Sequence, residues 1–512
     1  LPFLLDAGYN DGRKPVESRL ALPRFDESVA SGKTNMKTKL LAALGFVAVA
    51  GLVVSQTSLL AQTCAINTSS TYQTMDGFGA SSAFADPVSM TSAQAATLFG
   101  RNNGQIGLSL WRIRIDPNED WSTETTNAAF AHQWGARVLG TPWTPPASMK
   151  SNTNTIGGTL NTSEYAAYAS YLNLAAKSIG LDYVSMQNEP DANVSYESCF
   201  WTGTNMENWC ASNAPAVGRP IVMPESESFD YSFSDPTLDN STAANNVTIV
   251  AGHIYGGFPL SGPYTNALEH GKHIWMTEHY NEPTTNLETA VYTAWEISQC
   301  MNEQMSAYIW WRAYHPALAI DDLINGTTPI VTGYMVAQFA SFIRPGYVMV
   351  GATFNPSPGV FVTAYTGGGT LVVVAVNTNS LPVTQGFSIS GMSVPLMIPT
   401  VTSSNLSMAQ VTGIPVKSGI FDATLPALST ATFVSVAPPT LVHALHTNGT
   451  FQFSFTGSPP LQYTVMTATN PSLRLSNWTV AGSATNTGSN NYTFSVPLAT
   501  NQSAQFYSVQ IP

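Results

Sequence analysis

From Asp76 onward, short apolar runs rich in Val, Ile, Leu and aromatic residues alternate with segments whose apolar positions recur at helical spacing. Such alternation predicts βα units laid side by side in a parallel sheet. Strands are expected over residues 76–81, 108–115, 137–143, 183–189, 221–226, 249–255, 273–279 and 306–311. Helices are expected over 163–179, with Ser163 as the cap, over 287–303, and over 331–342 after the last strand. The span from Asp76 to Arg344 is 269 residues, close to the roughly 250 of a (β/α)8 TIM barrel, an α/β fold. An open doubly wound sheet fits less well, because no GxGxxG follows the first strand and Gly367-Gly368-Gly369 reads as a hairpin turn.

After Pro345 the period falls to two, as in 359–365 and 370–377, with frequent Gly, Pro and Asn turns and no helical pattern. Residues 345–437 are therefore expected to form a β-sandwich side domain attached to the barrel of 76–344. A Pro-Pro pair at 438–439 introduces a small C-terminal all-β module, 440–512. Its Phe451, Phe453 and Phe455 alternate as the buried face of a small sandwich does. A second reading makes these rings, with Tyr463, Trp478, Tyr492 and Phe494, an aromatic platform that stacks on sugars and a carbohydrate-binding module of this segment.

At the other end, Met36 opens a basic stretch (Lys37, Lys39), and an apolar run of 15 residues, 40–54, follows before Ala61-Gln62. The run is shorter than the ~20 residues of a spanning helix, so 36–62 reads as a secretory signal peptide and 1–35 as upstream translation. A secreted, extracellular chain without membrane attachment after cleavage is the expectation. Four cysteines are present, without a CxxC pair that would hold a structural zinc. Cys199 and Cys210 are near enough in sequence to staple one loop by a disulfide in an oxidising compartment, and two buried thiols are the other reading.

Charge narrows the partners. Charged residues are only 10% of the chain, with 31 acidic against 19 basic and a net charge of −12. Such a surface repels phosphate backbones and anionic lipids, which argues against nucleic-acid and membrane roles and leaves neutral polymers as the easier partner. A monomer is expected. His270 and His273 lack a third ligand nearby, and no GxSxG occurs, so neither a catalytic metal, a cofactor nor a serine nucleophile is expected.

Reacting groups in a barrel lie at the carboxyl ends of the strands. There Met186-Gln187-Asn188-Glu189-Pro190 ends the fourth strand and Met276-Thr277-Glu278-His279 the seventh, each with a glutamate. Two carboxylates facing one another suit glycosidic cleavage, one donating a proton to the leaving oxygen and the other attacking the sugar carbon. Asn188 is placed to bond a sugar 2-hydroxyl, and Trp143, Tyr255, Trp310 and Trp311 end strands of the same barrel with rings suited to sugar faces. Core packing is the other reading of each ring. Arg112 is expected to hold the loops or the carboxylates, while Glu225 and Glu227, which compete for the catalytic role, rank as residues supporting the catalytic pair from behind or as structural.

The segments DGFGASSAF (76–84), GLSLWRIRIDP (107–117), TPWTPPASMK (141–150), SMQNEPD (185–191), MTEHY (276–280), YIWW (308–311) and GYMVAQFASFIRPGY (333–347), in this order, resemble glycoside hydrolase family 30. The likeness is strongest to its bacterial xylanase branch and covers about residues 66–437. It implies a retaining endo-β-1,4-xylanase acting on xylan or glucuronoxylan of plant cell walls, with Glu189 as acid/base and Glu278 as nucleophile. It further implies substrate contacts for Trp143, Asn188, Tyr255, Tyr280, Trp310 and Trp311, supported by Arg112, His253 and Arg312. The β-rich part after Pro345 is implied to pack on the barrel's side with the first strand of the mature chain, within 63–75. The family also holds β-1,6-glucanases, glucosylceramidases and exo-glycosidases, and a barrel that binds glycan without turnover is the non-enzyme alternative. Glucuronoxylan-specific members usually carry a Tyr-Ile-Arg-Arg type segment after the strand-eight tryptophans, whose arginine pairs with the uronate. Here Trp311-Arg312-Ala313-Tyr314 stands instead, with Asp321 and Asp322 as alternative partners for Arg312, so weak or absent uronate dependence is expected.

Overall fold

The computed structural model describes residues 62–512 apart from 86–87, 257–261, 437–438, 448, 458–460, 489–490, 498–503 and 511–512. The upstream segment and signal peptide expected over 1–62 fall, but for Gln62, outside the described residues. Strand β1 is Cys64–Thr74. Eight parallel strands then close into a barrel: β2 Gly77–Ser81, β3 Leu110–Arg114, β4 Arg137–Thr141, β5 Tyr183–Ser185, β6 Ile221–Ser226, β7 Ile249–His253, β8 His273–His279 and β9 Ala307–Trp310. Each expected strand is found, and five of them end earlier than the apolar pattern suggests. The run expected over 183–189 keeps its ladder only to Ser185, because the chain beyond turns inward to carry Asn188 and Glu189.

Alternation sorts the strand side chains into two layers. Leu110, Leu139, Val222, Ile249, Ala251, Trp275, Ala307 and Ile309 fill the barrel interior. Trp111, Ile113, Val138, Val184, Met223, Val250, Ile274 and Met276 belong to the larger core shared with the surrounding helices. Along β3 this parity places Arg112 on the interior face with Leu110, two residues before it. The barrel wall is tight where β2 meets β3: a Cβ on Gly79 would stand 2.8 Å from the Leu110 carbonyl oxygen.

The helix expected from Ser163 begins at Tyr165 and runs to Ile179. Residues Thr162–Glu164 form a 3-10 turn instead, and no side chain caps the helix, so Ser163 does not have the capping role expected of it. Among the described residues no helix is long and apolar enough to cross a membrane.

Beside the barrel lies a ten-stranded sheet in which β1 is an inner strand, antiparallel to Val348–Ala352 and parallel to Val383–Ser390. Helices Leu287–Asn302 and Val331–Ala340 join it to the barrel. The Trp295 ring on the first meets Phe361 edge-on at 6.1 Å, and Gln338 on the second takes Thr402 and Thr432 as partners at 2.8 and 2.6 Å. The turn between Val360–Gly367 and Thr370–Asn377 is made by Gly368 and Gly369, both at positive φ (57° and 78°), as a two-residue hairpin requires.

The C-terminal part forms two small sheets, one from Thr440–Thr447, Thr450–Thr456, Asn491–Pro497 and Thr485–Gly488, the other from Thr479–Ser483, Thr464–Ala468 and Phe506–Gln510. Phe453, Phe455, Tyr463, Tyr492 and Phe494 are buried against each other, with Phe453 5.7 Å from Phe494 and Phe455 5.3 Å from Tyr463. The platform reading fails for these five rings, since a ring enclosed between strands offers no face to a sugar. The expected disulfide is also absent. Cys64, Cys199, Cys210 and Cys300 are free thiols, and the helix Gly203–Ser212 turns the Cys210 sulfur onto Met186, 3.8 Å from its sulfur.

Candidate active site

Arg112 is fully buried at the base of the barrel mouth and is the hub of the site. Its Nη1 donates to Glu278 Oε2 at 2.5 Å and its Nη2 to Asn188 Oδ1 at 2.7 Å. Its Nε lies 3.3 Å from Thr141 Oγ1 and 3.2 Å from Glu225 Oε1, and the guanidinium sits 4.7 Å over the Trp143 ring. Burial opposes its charge, but Glu225 and Glu278 outweigh that and raise its pKa above the usual value. Holding Oδ1 fixes the Asn188 amide, leaving its NH2 as the donor for a ligand.

The two expected glutamates meet over this arginine. One oxygen each of Glu189 and Glu278 and one His253 ring nitrogen lie within 4.8 Å of one another. Tyr255 donates its hydroxyl to Glu278 Oε1 at 2.8 Å. His253 Nδ1 is 3.0 Å from Glu189 Oε1, and Tyr196 donates to Glu189 Oε2 at 3.2 Å.

Strand irregularities aim these side chains. In the β7–β8 ladder Gly252 faces Met276 but His253 faces Glu278, so Thr277 is an extra residue and Glu278 shifts to the face shared with inward-pointing His253. On β6 the pairing jumps from Pro224 to Ser226, which makes Glu225 the inserted residue, at φ +54°. Glu189 is also left-handed, at φ +42°, and its backbone NH donates to the Glu225 carbonyl at 2.9 Å. Non-glycine residues in this region cost on the order of 1 kcal/mol each and persist where surrounding contacts over-determine them.

Glu225, ranked from sequence as supporting or structural, is a third carboxylate inside the site. Burial alone raises its pKa, but Arg112 and His253 reverse that and hold it at about 2. His253 is pushed the opposite way: burial lowers its pKa, yet Glu278, Glu189 and Glu225 together lift it to about 9. His253 Nε2 and Glu225 Oε1 face each other at 3.9 Å, beyond hydrogen-bond reach, so the coupling between them is through charge.

The aromatic candidates separate. Trp310 is 0% exposed, with its indole NH on the Asp321 carbonyl at 2.7 Å, so the sugar contact expected of it is replaced by packing. Trp143 is 2% exposed, enclosed by Arg112, Phe84 at 5.1 Å and Trp311 at 5.8 Å. Trp311 and Tyr280 are half-buried at the rim, Tyr280 edge-on to Tyr255 at 6.0 Å. Arg312 donates to Asp321 Oδ2 at 2.7 Å and lies 5.4 Å from the Trp311 ring centre. Phe84 and Tyr196 were not singled out from sequence. Phe84 ends the 76–84 segment and was findable there, whereas Tyr196 lies in a loop whose path no local pattern reveals.

Among the described residues two groups have metal-ligating types close together, Glu189/His253/Glu278 and His315/Asp321/Asp322. In the first, Arg112 and Tyr255 already occupy Glu278, and in the second Arg312 and His315 occupy the two aspartates. Both are coherent as ion-pair networks of protein groups.

No family model matches the chain. It is 34% identical over 397 residues to glucuronoxylanase XynC of Bacillus subtilis (strain 168), a match covering 73% of this chain and 92% of that one. The solved family 30 subfamily 8 xylanase Xyn30A from Clostridium acetobutylicum superposes with a TM-score of 0.69 at 38% identity, over 73% of this chain and all of that one (100%). A family 30 endoxylanase from Clostridium papyrosolvens gives 0.67 at 34% identity, with the same 73% and 100% coverage. With this shared barrel, side sheet and ordered set of segments, the chain belongs to glycoside hydrolase family 30.

Proposed function

We propose that the protein is a secreted endo-β-1,4-xylanase that cleaves with retention of configuration and depends little on glucuronate side groups. The observation that carries the mechanism is the approach of Glu189 and Glu278 to within 4.8 Å. Carboxylates approaching this closely leave no room for the water that an inverting enzyme places between groups about 6.5–9.5 Å apart, and suit direct attack on the sugar. Glu278, oriented by Arg112 and Tyr255, attacks the anomeric carbon, while Glu189 passes its proton to the leaving oxygen. Water, deprotonated by Glu189, then hydrolyses the glycosyl-enzyme.

Charge balance supports these roles. With Arg112 and His253 cationic and Glu225 anionic, the buried cluster is neutral when one of Glu189 and Glu278 carries a proton. A net charge there would cost several kcal/mol. Arg112 and Tyr255 orient Glu278 as the attacking carboxylate, which leaves Glu189 the role of proton donor.

The similar proteins are a glucuronoxylanase and endoxylanases, which makes xylan the substrate class to test first. Arg312 is engaged by Asp321 rather than free at the cleft, which favours weak dependence on an acidic side group. Secretion rests on the apolar run at 40–54. Chromatography of products from xylan, mixed glucans and mannan tests backbone, linkage and cleavage pattern together. A ladder of short xylo-oligosaccharides is expected, and release of monomers alone would point to exo action. Initial rates on glucuronoxylan and on reduced, uncharged xylan are expected within about tenfold, and a hundredfold preference for the acidic polymer would refute the weak dependence. Glu278→Ala should abolish hydrolysis with fold and ligand affinity retained, and unaltered turnover would remove the mechanism.

A further inference from the structure

The loop after β5 contains three consecutive residues anchored to three different parts of the barrel mouth. Tyr196 donates to Glu189 Oε2 at 3.2 Å. Glu197 forms a two-pronged pair with Arg114 at the end of β3, with Nε to Oε2 at 2.8 Å and Nη2 to Oε1 at 2.5 Å. Arg114 is itself fixed by Asp116 at 2.6 Å and lies 4.9 Å over the Phe84 ring. The Ser198 carbonyl accepts from Lys150 Nζ at 2.6 Å, its NH donates to the Thr155 carbonyl at 3.0 Å, and its Oγ accepts from the Gly157 NH at 2.9 Å.

Lys150 is 1% exposed, and its ammonium is bonded to two neutral oxygens, of Ser198 and Thr144. Burying an ammonium without a carboxylate in contact is expensive, so this site is a poor choice if the loop only had to be packed. Fork-to-fork arginine–carboxylate pairing likewise fixes direction as well as proximity. Both devices hold the two residues that directly follow Tyr196, the residue that touches Glu189.

Taking Glu189 as the proton donor, we propose that segment 196–198 is a strap and that Glu197, through Arg114, is a positioning residue for proton transfer to the leaving oxygen. The strap keeps the Tyr196 phenol on one carboxyl oxygen and His253 keeps the other, so the carboxyl plane cannot rotate. In the first half-reaction the Glu189 O–H bond breaks, its proton goes to the glycosidic oxygen, and the C–O electron pair leaves with the alcohol. The phenol donates throughout and is not consumed.

Aryl β-xylobiosides of differing leaving-group basicity test this. A dinitrophenolate departs without a proton, whereas phenolate and the sugar hydroxyl of xylan need one, so a misdirected donor shows as a dependence on the leaving group. Glu197→Gln is expected to lower kcat/KM about tenfold or more on phenyl xylobioside and xylan while leaving dinitrophenyl xylobioside within about twofold. Equal loss on both aryl substrates, or no loss on either, overturns the strap. Tyr196→Phe is read in the same way and carries the test if Glu197→Gln does not fold. Glu189→Ala serves as the control. If it shows no leaving-group dependence, the donor assignment falls and the strap with it; if it shows the dependence and Glu197→Gln does not, only the strap is refuted.

Discussion

Arg112, His253 and Glu225 set the electrostatics in which both catalytic candidates work. Arg112 reaches Glu225, Glu278 and Asn188 through three separate nitrogens of one planar fork, a spread that the compact ammonium of a lysine lacks. His253 gives a pH prediction whose sign is fixed by its neighbours. Its folded pKa of about 9 lies above the ordinary 6.5, so its contribution to stability is complete below about pH 6.5 and is lost as pH rises through 9. The gap corresponds to about 3 kcal/mol at full effect. Urea unfolding at pH 6 and pH 10 should show this loss, and His253→Gln should remove most of the difference. Equal pH dependence in the variant would mean that other groups cause it. At this scale the sequence told which residue types stand at strand ends. Trp310 and Trp311 show what it did not tell: adjacent indoles differ in role because one points into the wall and the other to the rim.

At the scale of elements, the barrel depends on ladders that are regular everywhere except where function needs a side chain re-aimed. Strict alternation from inward-facing Trp275 puts Thr277 inside and Glu278 outside, among Ile274 and Met276. The inserted residue on β8 reverses that for Glu278. Deleting Thr277 is therefore expected to leave a regular ladder in which Glu278 follows Met276 directly and stays on the inward face opposite His253, because strict alternation after outward-facing Met276 puts the next residue inside. Hydrolysis should remain measurable, with far-UV circular dichroism close to that of the parent. Loss of activity with the fold intact would show that the face of the strand alone does not aim the carboxylate. Neither bulge was legible beforehand, since Met276-Thr277-Glu278 and Pro224-Glu225-Ser226 read locally as ordinary strand, and their irregularity arises from the register of neighbouring strands.

The whole molecule ties its first strand to residues nearly three hundred positions away. Strand β1 bridges Val348–Ala352 and Val383–Ser390 in the side sheet, and its Cys64 and Ile66 are buried with Val350, Phe387 and Phe433. Removing residues 62–74 should break that sheet in its interior, expose this core and yield an insoluble or strongly destabilised chain although the barrel strands are untouched. A soluble truncated form with parental Tm would show that the side sheet is closed by other contacts. By itself the sequence determined the eight strands, the change of period after Pro345 and the glutamates at two strand ends, because apolar spacing and strand polarity are local properties. Only the tertiary structure decided that Thr277 and Glu225 are inserted residues, that Tyr196 returns to Glu189, that the C-terminal rings pack on each other and that Cys199 and Cys210 stay apart. Each of these is fixed by what neighbouring strands and loops place opposite a residue, and no window along the chain contains that information.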